Sequence, residues 1–305
     1  MQNTLLKSGF ITILGRPSTG KSTLLNHLCR QRISIVSPVP QTTRNTIRGI
    51  VNDSRGQIVF LDTPGLHDNE GKVNLRMRSV ALETIGEAEA ILYTVDTTRA
   101  PGDEERIVAQ RVRESGLPGV VVYTKCDQSG GPGVTHREFI HHQELDHLPV
   151  FNVRGLHRPP SDEVDPAETG VPALISHLFD ILPPGEPWYP EDYYTDQDPR
   201  FRIAEIIREQ AINRTHQEVP HAIYVEVADL EERDAYYTAR AFLFVERSSQ
   251  QGILVGKGGG NITAIREESQ RILNQLFPKP VRLQLQVKVR PRWRRDDSLL
   301  KRLIH

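Results

Sequence analysis

No stretch of about 18 consecutive apolar residues occurs in the sequence, which leaves no membrane-spanning helix to consider. Cysteine is nearly absent: Cys29 and Cys126 are the only two among 305 residues. Such a pair supplies neither a disulfide framework nor a Cys-x-x-Cys metal site, and it suits a reducing compartment. Net charge is lacking too, at −1 overall. The opening Met1-Gln2-Asn3-Thr4 has neither the basic flank nor the small-residue cleavage site of a secretory signal. The expectation is a soluble cytoplasmic protein.

The near-neutral total conceals an asymmetry. Residues 1–199 carry 19 Lys and Arg against 26 Asp and Glu, whereas residues 200–305 carry 19 against 13. Arg282, Lys288, Arg290, Arg292, Arg294, Arg295, Lys301 and Arg302 crowd the final stretch, opposed there only by Asp296 and Asp297. A basic C-terminal part suits a polyanionic partner. The length fits about two domains, and 37% apolar residues suffice for buried cores.

In the first half, short apolar runs alternate with helical patterns. Strands are expected at 10–14, 46–52, 57–61, 90–95, 119–123 and 150–153, with a helix opening at Ser22. Alternation of this kind predicts an α/β fold: a doubly wound, mostly parallel sheet with ligands at the carboxyl ends of its strands. Prolines 183, 184, 187, 190 and 199 mark residues 183–199 as a stiff linker between domains at 1–182 and 200–305. Beyond it come a helix at 201–214, strands at 223–227 and 241–245, a helix at 262–276 and an alternating strand at 281–289. That order describes a smaller α+β domain.

Gly15-Arg16-Pro17-Ser18-Thr19-Gly20-Lys21-Ser22 fits G-x4-G-K-[ST] between a strand and a helix, the context that makes it a phosphate-binding loop. Its amides can cup a β-phosphate, Lys21 bridges the β- and γ-phosphates, and the Ser22 hydroxyl, with Thr23 behind it, faces Mg²⁺. Asp62-Thr63-Pro64-Gly65 follows an apolar run, placing Asp62 to hold the metal and the Gly65 N–H to sense the γ-phosphate. Between them, Gln41-Thr42-Thr43-Arg44 offers Thr43 to complete the metal shell. Thr124-Lys125-Cys126-Asp127 also ends an apolar run. A carboxylate there accepts from guanine N1–H and N2–H, whereas adenine presents no donors and would leave it unpaired. The expected cofactors are therefore GTP or GDP with Mg²⁺.

With these motifs in register, the chain resembles the Era family of GTPases, which joins a P-loop GTPase domain to a KH-type RNA-binding domain (type II). Gln41-Thr42-Thr43-Arg44, Asp62-Thr63-Pro64-Gly65-Leu66-His67, the segment Tyr189-Pro190-Glu191-Asp192-Tyr193-Tyr194-Thr195-Asp196 and Val287-Lys288-Val289 all carry the likeness. The resemblance implies a monomer that grips the single-stranded 3′ end of small-subunit ribosomal RNA and assists small ribosomal subunit assembly. It also implies peripheral contact with the inner membrane.

Three departures stand out. The family's base motif begins with Asn where this chain has Thr124, and its phosphate loop has Asn where this chain has Ser18. The loop that closes on guanine is displaced, and either Asn152-Val153 or Ala167-Glu168-Thr169-Gly170 fills that role, Ala167 being favoured. Leu66 occupies the place where Ras-like proteins orient the attacking water with glutamine, so intrinsic hydrolysis is expected to be slow and to rest on Lys21, Mg²⁺ and backbone electrostatics.

Gly256-Lys257-Gly258-Gly259 forms a G-x-x-G turn between helical patterns, a clamp for about four nucleotides. Lys288, Arg290 and Arg292, with Trp293 interleaved, read as a phosphate-tracking edge with one stacking aromatic. His136, His141, His142, Glu144 and His147 lack metal-ligand spacing and read as a solvated face. Two other readings stay open: an RNA chaperone with a vestigial nucleotide site, and an ATPase.

Overall fold

A computed structural model describes residues 5–65, 71–154 and 169–304. The chain divides into two compact units, one of residues 1–34, 43–196 and 304–305, the other of residues 35–42 and 197–303.

The first unit is built on a six-stranded sheet in the order β2-β3-β1-β4-β5-β6. Its strands are β1 (Lys7–Leu14), β2 (Ile47–Asp53), β3 (Gly56–Asp62), β4 (Ala90–Asp96), β5 (Gly119–Thr124) and β6 (Val150–Asn152). Only the β2–β3 pair is antiparallel. β3, β4 and β5 are buried along their whole length, as strands covered on both faces must be, and each is built on an apolar run, with Gln57 opening that of β3 and Asp62 and Asp96 closing those of β3 and β4. Helices α2 (Lys72–Glu87), α3 (Asp103–Ser115) and α4 (Val134–His142) contribute Ala81, Val108, Ala109, Val112 and Ile140 to one core with Leu14, Tyr93, Val121 and Tyr123. α1 (Lys21–Leu28) and α5 (Val171–Ile181) bury Leu24, Leu25, Leu174 and Leu178. This winding carries residues 15–22, 62–65, 124–127 and 153 to the carboxyl ends of neighbouring strands.

The proline-rich stretch does not hang free between units. Through Asp196 it belongs to the first unit, laid along the β2–β3 edge. The Gln57 side chain, fully buried, accepts from the amides of Trp188 and Tyr189 and donates to the Tyr189 carbonyl and Asn52 Oδ1, all at 2.8–2.9 Å. Asn52 Nδ2 donates to the carbonyls of Glu191 and Tyr193, and the Ile50 amide to that of Tyr194. A glutamine in a strand satisfies the backbone of a segment that has no strand of its own.

In the second unit, Asp198 caps α6 (Pro199–Asn213), its carboxylate accepting from the amides of Arg200 and Phe201, with proline at the first helical position. β7 (Tyr224–Glu232), β8 (Tyr237–Val245) and β9 (Val281–Val289) form a sheet in that order, antiparallel then parallel. The parallel step is bridged by α7 (Ser248–Val255) and α8 (Gly260–Leu276), and α9 (Asp297–Leu303) follows. Ile203, Ile206, Ile207, Leu254, Ile265, Ile272 and Leu273 pack on Ala239, Ala241, Leu243, Val245, Val281 and Leu283, so the helices cover one face of the sheet. Ile35 joins this core, the Val36 amide donates to Glu209, and Arg208 donates to the Thr42 carbonyl at 2.6 Å. No helix among the described residues is long and apolar enough to cross a membrane.

Candidate nucleotide and nucleic-acid sites

The phosphate loop is pinned by its carbonyls. Lys21 Nζ donates to those of Gly15 and Arg16, both at 3.0 Å, and Arg99 to that of Pro17 at 3.2 Å. Lys125 Nζ takes the Ser18 carbonyl at 2.9 Å, and the Thr124 hydroxyl takes that of Thr19 at 2.7 Å. Every carbonyl from 15 to 19 is thus occupied by a side chain, and because peptide N–H and C=O groups point opposite ways, the N–H edges are left for an anion. The turn needs positive φ at Ser18 (65°) and Gly20 (92°). A Cβ at Gly15 would stand 2.1 Å from Thr94 Oγ1, so only glycine fits there.

Lys21 is buried, and burial pushes its ammonium down to about 8, against the opposing pull of Asp62 and Glu105. Arg16, also buried, makes an ion pair with Glu105 at 2.9 Å and donates to the carbonyls of Arg99 and Ala100. Tyr93 closes this network, its hydroxyl donating to Glu105 at 2.6 Å.

Ser22, Thr43 and Asp62, the residues read from sequence as metal ligands, lie together. Ser22 Oγ lies 2.8 Å from Thr43 Oγ1 and donates to Asp62 Oδ2 at 2.6 Å, and Ser34 donates to the same oxygen at 2.9 Å. Asp62 Oδ1 is buried with no hydrogen-bond partner among the described residues, and burial raises the carboxyl above the ordinary range. Two hydroxyls beside a carboxylate oxygen without a partner form an all-oxygen donor set suited to Mg²⁺. Thr63 donates to the Ile13 carbonyl, which holds the strand end. A Cβ at Gly65 would come within 2.8 Å of the Pro17 backbone, so glycine is what lets residue 65 approach the phosphate loop.

At the base motif Lys125 takes positive φ (58°), and its ammonium reaches Asp96 Oδ2 at 2.7 Å. Burial works against the Asp96 charge, yet bonds from Lys125 and Thr98 hold its carboxyl below the usual range. Asp127 is exposed at the rim. Of the two candidates for the closing loop, Asn152-Val153 lies against this motif: the Val153 carbonyl accepts from the Cys126 amide, and the Val153 amide donates to Tyr123. Ala167, favoured on sequence, falls outside the described residues, as do Glu168 and Leu66. Asp96, Arg99 and Glu105 were missed by the sequence reading. Asp96 had a signal, because it ends an apolar run as Asp62 does.

In the second unit, Gly256, Gly258 and Gly259 all take positive φ (73°, 61° and 78°), and Lys257 and Gly258 are exposed. A Cβ at Gly256 would stand 2.7 Å from that of Asn261, whereas nothing crowds Gly258 or Gly259 on the outer side. Trp293 corrects the sequence reading. It is 1% exposed, its indole donates to the Ala222 carbonyl, and it packs on Tyr224, so it is a core residue and presents no ring to a base. Much of the basic run is internally neutralised: Arg290 pairs with Asp296, Arg294 with Glu246 and Arg302 with Glu226. Lys288 and Arg292 stand exposed. His136 is likewise no solvated residue, being buried with its ring nitrogen 3.1 Å from the Arg99 carbonyl.

Residues 10–125 match the family described as a 50S ribosome-binding GTPase, and residues 218–294 match the KH domain. GTPase Era of Treponema denticola is 43% identical over 98% of this chain and 99% of its own length. GTPase Era of Borreliella burgdorferi is 39% identical over 98% and 100%. Among solved structures, Aquifex aeolicus Era bound to GDP and aluminium fluoride superposes with a TM-score of 0.89 at 30% identity, covering 98% of this chain and 99% of that one. Era in complex with MgGDPNP and nucleotides 1506–1542 of 16S ribosomal RNA gives 0.88 at 30%, covering 98% of each. On full-length identity and superposition, joined to a pinned phosphate loop and a G-x-x-G turn, the chain belongs to the Era family of GTPases.

Proposed function

We propose that this chain is a switch that hydrolyses GTP and grips 16S ribosomal RNA near its 3′ end during small-subunit assembly. The observation that carries the nucleotide half is the pinning of all five carbonyls from Gly15 to Thr19, which spares their N–H edges for phosphate oxygens. In this reading Ser22 and Thr43 ligate Mg²⁺ and Asp62 orients it; the ion supplies neutralisation of charge on the phosphates. Lys21, its ammonium held by two carbonyls, neutralises the β- and γ-phosphates, and the Gly65 N–H meets the γ-phosphate. Asp127 reads the guanine edge, with Asn152-Val153 closing beside it.

The switch follows from the two-sided placement of one loop. Residues 35–42 belong by their packing to the second unit, while Thr43 belongs to the first. A γ-phosphate that orders Thr43 pulls on Thr42, whose carbonyl Arg208 holds. The RNA half rests on the KH match, the G-x-x-G turn and exposed Lys257, with Lys288 and Arg292 beyond it.

Single-turnover hydrolysis with and without single-stranded RNA tests the proposal. Slow hydrolysis that rises with RNA, GTP outcompeting ATP, and loss of nucleotide binding in Lys21→Ala are expected. No hydrolysis above a Mg²⁺-only background in either condition would leave an RNA chaperone with a vestigial nucleotide site. A monomeric state and peripheral contact with the inner membrane are the finer parts of the proposal, tested by sedimentation and by flotation with anionic vesicles.

A further inference from the structure

Helices α6, α7 and α8 pack on one face of the second unit's sheet; on the other, Trp293 packs on Tyr224 of β7, whose ring stacks on Phe244 of β8. On the other face, edge strand β9 turns Arg282, Gln284, Gln286 and Lys288 outward, all exposed and none acidic. Register places Gln286 beside Phe242 and Lys288 beside Phe244 on β8, both rings half-buried in the same face. The Lys288 ammonium lies 3.3 Å from the centroid of Phe242, and the Arg282 guanidinium 3.6 Å from that of Tyr236. Neither cation makes an ion pair among the described residues, whereas Arg240 on the same face is paired with Asp229.

Rings flanked by amides and free cations are what an unstacked RNA strand requires: a π-face for a base, donors and acceptors for its edge, and positive charge for phosphate. On β7 the acids of this face, Glu226 and Asp229, are already paired with Arg302 and Arg240, so the cations without an ion pair among the described residues, Arg282 and Lys288, lie on β9. From Arg282 to Lys288 the strand rises ~20 Å, enough for several nucleotides. Lys288 sits where a base would stack. A base that displaces it leaves the ammonium free to meet the neighbouring phosphate.

We infer that this open face of β8 and β9 is a second RNA contact, apart from the G-x-x-G turn, with a base stacked on Phe242 and phosphates held by Lys288 and Arg282. The inference rests on the reading of the second unit as RNA-binding.

Fluorescence anisotropy on the full chain tests it with two unstructured RNAs, one of about four nucleotides that fills only the G-x-x-G clamp and one of roughly 16. Phe242→Leu keeps apolar bulk but removes the ring. It should weaken the long strand about tenfold and leave the short one unchanged, since one base–aromatic stack is worth that much. The double variant Arg282→Gln/Lys288→Gln should lower the salt slope for the long strand by about 1.4, two phosphate contacts at roughly 0.7 each. Gly258→Asp should abolish short-strand binding and leave a residual, Phe242-dependent affinity for the long strand. Long-strand binding unchanged in both sheet variants overturns the inference, as does equal loss of both strands in Phe242→Leu, which marks a merely structural ring. If the unaltered protein binds neither RNA, the RNA reading itself fails.

Discussion

Thr124 Oγ1 donates to the carbonyl of Thr19 at 2.7 Å and so ties the base motif to the phosphate loop across 105 positions of sequence. The family places Asn at this position, and the shorter side chain of Thr124, buried at the end of β5, still reaches the loop. Thr124→Val preserves shape and removes the hydroxyl, leaving a buried carbonyl short of a donor. That costs ~1–3 kcal/mol, so calorimetry should show GDP binding weakened by about tenfold, whereas Thr124→Asn should stay within about threefold of the parent.

Asp96 holds the Lys125 ammonium at 2.7 Å and lies 3.6 Å from Arg99, two of the groups that pin the phosphate loop. It acts through them as a positioning residue. Asp96→Asn should weaken GTP binding about tenfold, and Lys125→Met should do much the same. Because the two act as a unit, the double variant should be scarcely worse than either single one. Additive losses would show that Asp96 acts elsewhere. The pH profile carries a sign as well. The Asp96 carboxyl is held below its ordinary value, so its contribution is fully present above that value and is lost only as pH falls through the depressed one. Nucleotide affinity at pH 5 should therefore show no loss from Asp96.

Gln57 makes four hydrogen bonds from a fully buried side chain, three of them to residues 188–189 and one to Asn52. Gln57→Ala strands two amides and a carbonyl. A loss of ~2–4 kcal/mol in unfolding free energy is expected, together with new protease cleavage between Leu182 and Asp196. Unchanged resistance to proteolysis would mean that the segment is held by Tyr189 and Trp188 packing instead.

The sequence made the strand-end chemistry legible because each motif there is local: a glycine turn, a carboxylate after an apolar run, a lysine two residues before an aspartate. Ser22, Thr43 and Asp62 converge for that reason. What stayed hidden was tertiary. Arg99 and Glu105 reach the phosphate loop from elements about 85 residues away, and no spacing rule points to them. Trp293 looked like a stacking aromatic because its neighbours are basic, but whether those charges face solvent depends, besides the neighbouring Asp296, on Glu246 and Glu226, which only folding brings near. The proline-rich stretch read as a stiff linker between domains, and its partners Gln57, Asn52 and Ile50 stayed hidden for a similar reason, since they lie on distant strands.

Arg16 and Glu105 form a buried ion pair, with exposures of 7% and 0% for the two side chains, beside the loop that must accept a polyanion. Removing one partner strands the other charge. Burial already raises the Glu105 carboxyl, against the bond from Tyr93 and the charge of Arg16. Glu105→Gln should thus cost ~3–5 kcal/mol of stability by leaving Arg16 uncompensated, read as a lowered denaturant midpoint at constant slope. Replacing the network together, as Arg16→Met/Glu105→Leu/Tyr93→Phe, should restore most of that stability, because apolar packing often replaces a buried ion pair without loss. Nucleotide binding separates fold from function here. The triple variant lacks the two bonds from Arg16 to the carbonyls of Arg99 and Ala100, so its phosphate loop is no longer fixed to that segment. It should keep most of the parent's stability yet bind GDP at least tenfold more weakly. Parental affinity in the triple variant would show that the network serves stability alone.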